Sequence, residues 1–118
     1  MFKHKMCGYL LLCLFSPSLW ATDEYHLEIK DHLFFPSRIV IPAGEKVKLI
    51  VHNLDSTPEE FESFSLNREK VVFGNKKITI FIGPLKPGEY EFVGEYNPNS
   101  ARGTVVVIKK PKEGSDVN

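Results

Sequence analysis

Apolar and polar residues alternate with period two through much of this chain. Residues 25–30 (Tyr-His-Leu-Glu-Ile-Lys) alternate, and so do residues 46–52, which place Val47, Leu49 and Val51 on one face. Residues 76–82 put Ile78, Ile80 and Ile82 together. Around residue 90 the pattern sets Tyr90, Phe92 and Gly94 on one face and Glu89, Glu91 and Val93 on the other. Residues 104–108 (Thr-Val-Val-Val-Ile) are the most strand-like run. Between these lie an extended stretch over 34–41, kept out of a helix by Pro36, and short extended pieces over 61–66 and 70–73. Turn formers punctuate the rest: Asp31-His32, Pro42-Ala43-Gly44, residues 53–58, Gly74-Asn75, and a corner over 83–88 at which the Tyr90 hydroxyl is placed to make a polar contact. No stretch keeps a helical period over the ten or so residues that a helix needs. The pattern predicts an all-β fold, a Greek-key antiparallel β-sandwich of about seven or eight strands, in a single domain over residues 22–110. The polar residues 111–118 read as a frayed tail.

The first residues change the picture of what the domain contains. Lys3, His4 and Lys5 form a basic start, residues 6–15 are an apolar run broken only by Gly8, and residues 16–21 lead into Thr22-Asp23-Glu24. This is the outline of a secretory signal peptide, expected to be cut after Ala21 and to deliver the protein to the periplasm. The polar break after Phe15 comes too early for a membrane span. Both cysteines (Cys7, Cys13), both methionines (Met1, Met6) and Trp20 fall in the leader, so the remaining domain has neither thiol nor thioether. It must rest on buried apolar surface instead of disulfides. Removing Lys3 and Lys5 from the 15 basic residues leaves 13 against 15 acidic, a formal charge of −2 that argues against a nucleic-acid partner. Nucleophile elbows, phosphate loops and paired histidines at metal spacing are all missing from the sequence, so no enzyme signature is found.

Phe34-x-Pro36-Ser37, Ile39-x-Ile41-Pro42-Ala43-Gly44, Asn53-x-Asp55 and Pro87-Gly88-x-Tyr90-x-Phe92 together resemble the cupredoxin fold over nearly the whole domain. In copper-binding cupredoxins a His after the Asn-x-Asp loop joins a Cys, a His and usually a Met from the loop between the last two strands. The resemblance places the first His position on Glu59, the Cys position on Gly94, the second His position on Asn97 and the Met position near Arg102. It therefore implies no type 1 copper and no blue-copper electron carrier. A narrower likeness runs through residues 57–63, Glu69-Lys70, residues 83–88 and Gly94-Glu95-Tyr96. These resemble small periplasmic cupredoxin-like proteins of ferrous and elemental iron uptake. That likeness implies metal handling beside an iron permease, with an iron or copper ion as cargo and no organic cofactor. Many relatives carry His where this chain has Asn97.

The candidate metal residues are Glu59 and Glu62 after the Asn53-x-Asp55 loop, with Glu95 and His32, which the cupredoxin resemblance brings to the same end. Carboxylates with one imidazole suit a hard or borderline ion such as Fe(II), Fe(III) or Mn(II) more than Cu(I). Alternation counted from Phe64 and Leu66 turns Glu62 inward, where it would need Arg102, Lys70 or a metal as partner. The plainer reading of the glutamate run is a solvated face, with His26 and His52 as ordinary strand histidines. A metal-free interaction domain on a degenerate cupredoxin scaffold is the second functional class.

Overall fold

A two-residue hairpin starts the domain. In the computed structural model, which describes residues 22–110, β1 (Glu24–Lys30) turns at Asp31 and His32 and returns as β2 (Leu33–Phe35), with Lys30 opposite Leu33. Both turn residues have positive φ, 53° and 60°, as the tight hairpin of this length demands. Neither is glycine, and the strain is offset by Asp55, whose two carboxylate oxygens accept the backbone N–H of Asp31 (2.8 Å) and of His32 (3.0 Å). The expected leader with its cleavage site (residues 1–21) and the polar tail (residues 111–118) lie outside the described residues.

The remaining strands are β3 (Arg38–Pro42), β4 (Val47–Asn53), β5 (Glu59–Ser63), β6 (Arg68–Val72), β7 (Lys77–Ile82), β8 (Gly88–Gly94) and β9 (Arg102–Ile108). They form two sheets, ordered β2-β1-β4-β7 and β3-β9-β8-β5-β6. The all-β sandwich is the one the alternation predicts, and no helix occurs among the described residues. Nine strands form because the extended stretch over 34–41 divides at Pro36: β2 stays in the first sheet and β3 joins the second. Most pairings are antiparallel, while β1 runs parallel to β4 and β3 parallel to β9.

The alternating faces meet between the sheets. Leu27, Ile29, Val47, Leu49, Val51, Ile80 and Ile82 of one sheet are buried against Ile39, Ile41, Phe61, Val72, Phe92, Val105 and Val107 of the other. Towards one end the core becomes aromatic. Phe61 and Phe92 stack with centroids 5.0 Å apart, and Phe34 meets Phe92 edge-on at 4.9 Å. Gly103 pairs with Phe92 across β8 and β9 and leaves room for its ring: a Cβ at this glycine would stand 2.5 Å from Phe92 Cε2. At the opposite corner the Tyr90 hydroxyl donates to the Lys86 carbonyl at 2.8 Å, the polar contact expected there.

Gly103→Ala should therefore push the Phe92 ring out of the aromatic trio and lower stability by about 1–3 kcal/mol. Urea denaturation checks this, and a midpoint equal to that of the wild type would show that the ring has free space elsewhere.

Candidate functional site

Glu59 opens β5 with its carboxylate turned between the sheets, only 2% exposed. Its register explains why. Strand alternation runs through Glu59, Phe61 and Ser63, all buried, and stops at the turn over 64–67. Counting from Phe64 and Leu66 carries the period across that turn and inverts it. The inward carboxylate is thus Glu59, whereas Glu62 faces outward and is half-buried. Lys70 and Arg102 do not serve as its partners: Lys70 Nζ donates to the Thr79 carbonyl (3.2 Å), and Arg102 to the Pro98 carbonyl (3.1 Å).

A buried carboxylate is tolerated only with donors around it. Glu59 Oε1 accepts the backbone N–H of Glu60 (2.9 Å) and of Tyr96 (2.9 Å), and Oε2 accepts the Asn97 side-chain amide (2.7 Å). It accepts three hydrogen bonds and donates none, the role of an ionised carboxylate. Two of the three come from the loop between β8 and β9, so Glu59 ties that loop to the start of β5. The loop is itself closed by Gly94 N–H to the Ala101 carbonyl (2.8 Å) and Ala101 N–H to the Asn97 carbonyl (2.8 Å).

Three of the four positions that the resemblance equates with copper ligands, Glu59, Gly94 and Asn97, converge here. A Cβ on Gly94 would lie 2.6 Å from Glu59 Cδ and 2.6 Å from Ala101 Cβ. The Glu59 carboxylate occupies the space into which a side chain at 94 would project, and Asn97 closes on it from the third position. These residues do not fit a type 1 copper centre: the described residues contain neither Cys nor Met, and the one carboxylate at the focus is engaged by three N–H donors.

The four sequence candidates do not form one set. Glu59 points inward. Glu62 turns to the outer face of the five-stranded sheet, where the neighbouring Glu95 raises its carboxyl. His32 lies at the same end of the sandwich, as expected: its carbonyl accepts the Ser100 hydroxyl of the β8–β9 loop at 3.0 Å. Its imidazole, however, faces Asp55, with Nδ1 3.6 Å from Oδ2. Burial pushes the Asp55 carboxyl up, but the backbone bonds from His32 and Asp31 prevail and hold it below its ordinary range. Among the described residues no group of three or more His, Cys, Asp or Glu side chains is arranged to hold a metal ion.

The outer face gathers two glutamates that the candidate set leaves out. Glu62 is directly opposite Glu69 of β6, and Glu60 shares its face one alternation away. Glu60 is pushed up to about 7, first by its hydrogen bond to Glu69, then by burial and by the charges of Glu69, Glu62 and Glu95. Glu62 is raised by its hydrogen bond to Glu95, then by burial and by the charges of Glu95 and Glu69. Carboxyls that bond to one another share protons. Period two from Phe61 could have placed Glu60 beside Glu62, but only the register brings Glu69 across from them.

A two-sheet sandwich with its last-loop residues converging on the start of β5 is a cupredoxin-type domain. The chain belongs to the cupredoxin-like domain family, whose model matches residues 5–107. Over 84 residues it is 45% identical to the uncharacterized protein RP394 of Rickettsia prowazekii (strain Madrid E), covering 71% of this chain and 67% of that one. Among solved structures it is similar to the metal-binding domain of the Streptococcus pneumoniae D39 Cu(I)-exporting P-type ATPase CopA, at TM-score 0.64 and 14% identity, covering 72% of this chain and 84% of that one. It is also similar to auracyanin A, a blue copper protein from Chloroflexus aurantiacus, at TM-score 0.62 and 12% identity, covering 72% and 98%. At these identities the likeness is one of fold.

Two outcomes test the site. Glu59→Ala strands three part-buried donors and should lose about 2–3 kcal/mol in chemical denaturation. Glu59→Gln should lose about 1 kcal/mol or less, because a flipped Asn97 amide can accept from the new side chain. Equal losses would mean that the hydrogen bonds are not what holds the loop. The outer face makes stability depend on pH. Unfolded Glu60 releases its proton near the ordinary 4.5, whereas in the fold it keeps the proton to about 7. Folding thus takes up a proton in that window, so stability falls as pH rises from 4.5 to about 7 and levels off above. Melting temperatures across this range should show the fall, and Glu69→Gln should flatten it.

Proposed function

We propose that this protein is a periplasmic cupredoxin-like module of iron uptake that carries Fe(II) loosely as cargo and passes it to a membrane permease or a periplasmic partner. The observation that carries the reading is the outward face of β5 and β6, where Glu62 lies directly opposite Glu69 with Glu60 one alternation away, and where Glu69 raises the carboxyl of Glu60 and Glu95, just after β8, raises that of Glu62. Such pairs offer oxygen donors without a closed cage. A hard or borderline divalent ion can displace the shared protons, take its remaining ligands from water and leave again. Weak, exposed and reversible binding suits transfer better than storage. The motifs of residues 57–63 and 94–96 that resemble iron-uptake proteins lie at these same strands. Copper has no comparable place, since the Glu59 carboxylate fills the focus of the ligand positions.

A second reading is a metal-free interaction module, and one observation favours it. Glu59 holds the β8–β9 loop to β5 through hydrogen bonds from Tyr96 and Asn97, so the chain's own groups tie this end of the scaffold.

Anaerobic titration calorimetry with Fe(II), and a parallel titration with Cu(II), separates the two. The iron reading predicts measurable heat with Fe(II) that varies with the ionisation enthalpy of the buffer, because protons are released. Glu62→Gln with Glu95→Gln should abolish that heat, and Glu59→Gln should leave it unchanged. No heat with either ion would sink the iron reading in favour of the metal-free one.

A further inference from the structure

The two sheets each end in an unpaired strand on the same side of the sandwich, β7 in one and β6 in the other. An outermost strand presents free N–H and C=O groups to any strand that approaches. In β7 this exposure is hazardous by composition. Its sequence is Lys-Ile-Thr-Ile-Phe-Ile, with neither proline nor glycine, and its one charge lies at the first position. A β-branched, uncharged run of this kind on an open edge is a template for pairing.

The edge is not left open. In β6, Lys70 is paired with buried Phe61 and Arg68 with buried Ser63, so the side chains at 68 and 70 leave the strand on the core side, and that of Glu69 between them on the outer side. Both cations reach across the seam to β7. Arg68 Nε donates to the Phe81 carbonyl at 2.8 Å and Lys70 Nζ to the Thr79 carbonyl at 3.2 Å. These carbonyls are two residues apart and lie on the edge that faces away from β4. They are the acceptors that an added strand would use. The second arm of Arg68 donates to the Asn67 carbonyl at 2.8 Å, which fixes the guanidinium to the β5–β6 turn.

We propose that Arg68 and Lys70 guard the edge of β7 against strand addition by a second copy of this chain. The order cation-glutamate-cation over residues 68–70 is what the guard requires: alternation aims both donors at one edge and keeps the carboxylate away from it. An unguarded β7 would pair with its own copy antiparallel, an isologous arrangement that a two-fold axis closes. The inference is independent of any metal and stands apart from the iron reading.

Sedimentation velocity over a wide concentration range tests it with the double variant Arg68→Ala, Lys70→Ala, with hydrogen exchange as a second readout. The expected result is a dimer fraction several-fold above that of the wild type, together with new protection of the Thr79 and Phe81 amides. Lys86→Ala with Lys109→Ala removes the same charge away from β6 and β7 and should sediment like the wild type. A folded double variant that sediments and exchanges like the wild type overturns the proposal, as does equal self-association of the Lys86, Lys109 control. If the double variant does not fold, Lys70→Met decides: it keeps most of the apolar stem and removes only the donor. A smaller rise in dimer fraction supports the guard, and no rise overturns it.

Discussion

One buried carboxylate organises the end of this sandwich. Glu59 is enclosed between the sheets at the point where the start of β5, the end of β8 and the β8–β9 loop meet. Its three acceptor contacts are the condition for burying the charge at all. They dictate much of what surrounds it. Position 94 must be glycine because the carboxylate stands where a Cβ would go. Position 97 must carry a donor at short reach, and Asn supplies one while its own carbonyl closes the loop onto Ala101. In a copper-binding cupredoxin a metal joins the same strands by accepting electron pairs. Here an anion joins them by accepting hydrogen bonds, and the polarity of the joint is reversed.

A single step of strand alternation then divides the acidic residues into two kinds. Glu59 lies inside as a structural tie. Glu60 and Glu62 lie outside with Glu69 and Glu95, where the charges repel and share protons. The inner carboxylate is fully engaged and has nothing left to offer a ligand. The outer ones face solvent and one another, Glu60 and Glu62 half-buried, Glu69 and Glu95 exposed. The acid that ties the fold and the acids that face solvent therefore sit on opposite faces of one strand.

Much of this was legible in the sequence. The strands follow from alternation of period two, and their faces at Val47, Leu49, Val51, Tyr90, Phe92 and Gly94 are those found. Glu59, Gly94 and Asn97, which the resemblance sets on ligand positions, meet in space. The differences have local causes. Alternation counted from Phe64 and Leu66 turns Glu62 inward, but Phe64 is fully exposed in a turn and cannot report the face of the strand before it. The resemblance sets His32 at the same end as the glutamates. Its place is in fact set by the hairpin and by Asp55, a contact across 23 residues that no local pattern signals. No sequence pattern points to Glu69, because a cross-strand partner is a matter of register, which the turn over 64–67 decides.

The central claim is that Glu59 and Asn97 replace a metal as the tie between β5 and the last loop, and a double-mutant cycle measures this tie most directly. Denaturation midpoints of Glu59→Ala, Asn97→Ala and the combined variant give the coupling energy. The account predicts strong non-additivity, about 1–3 kcal/mol, because the second substitution removes a contact the first has already broken. Losses that add to within about 0.5 kcal/mol would contradict it, showing that the two residues stabilise the protein independently.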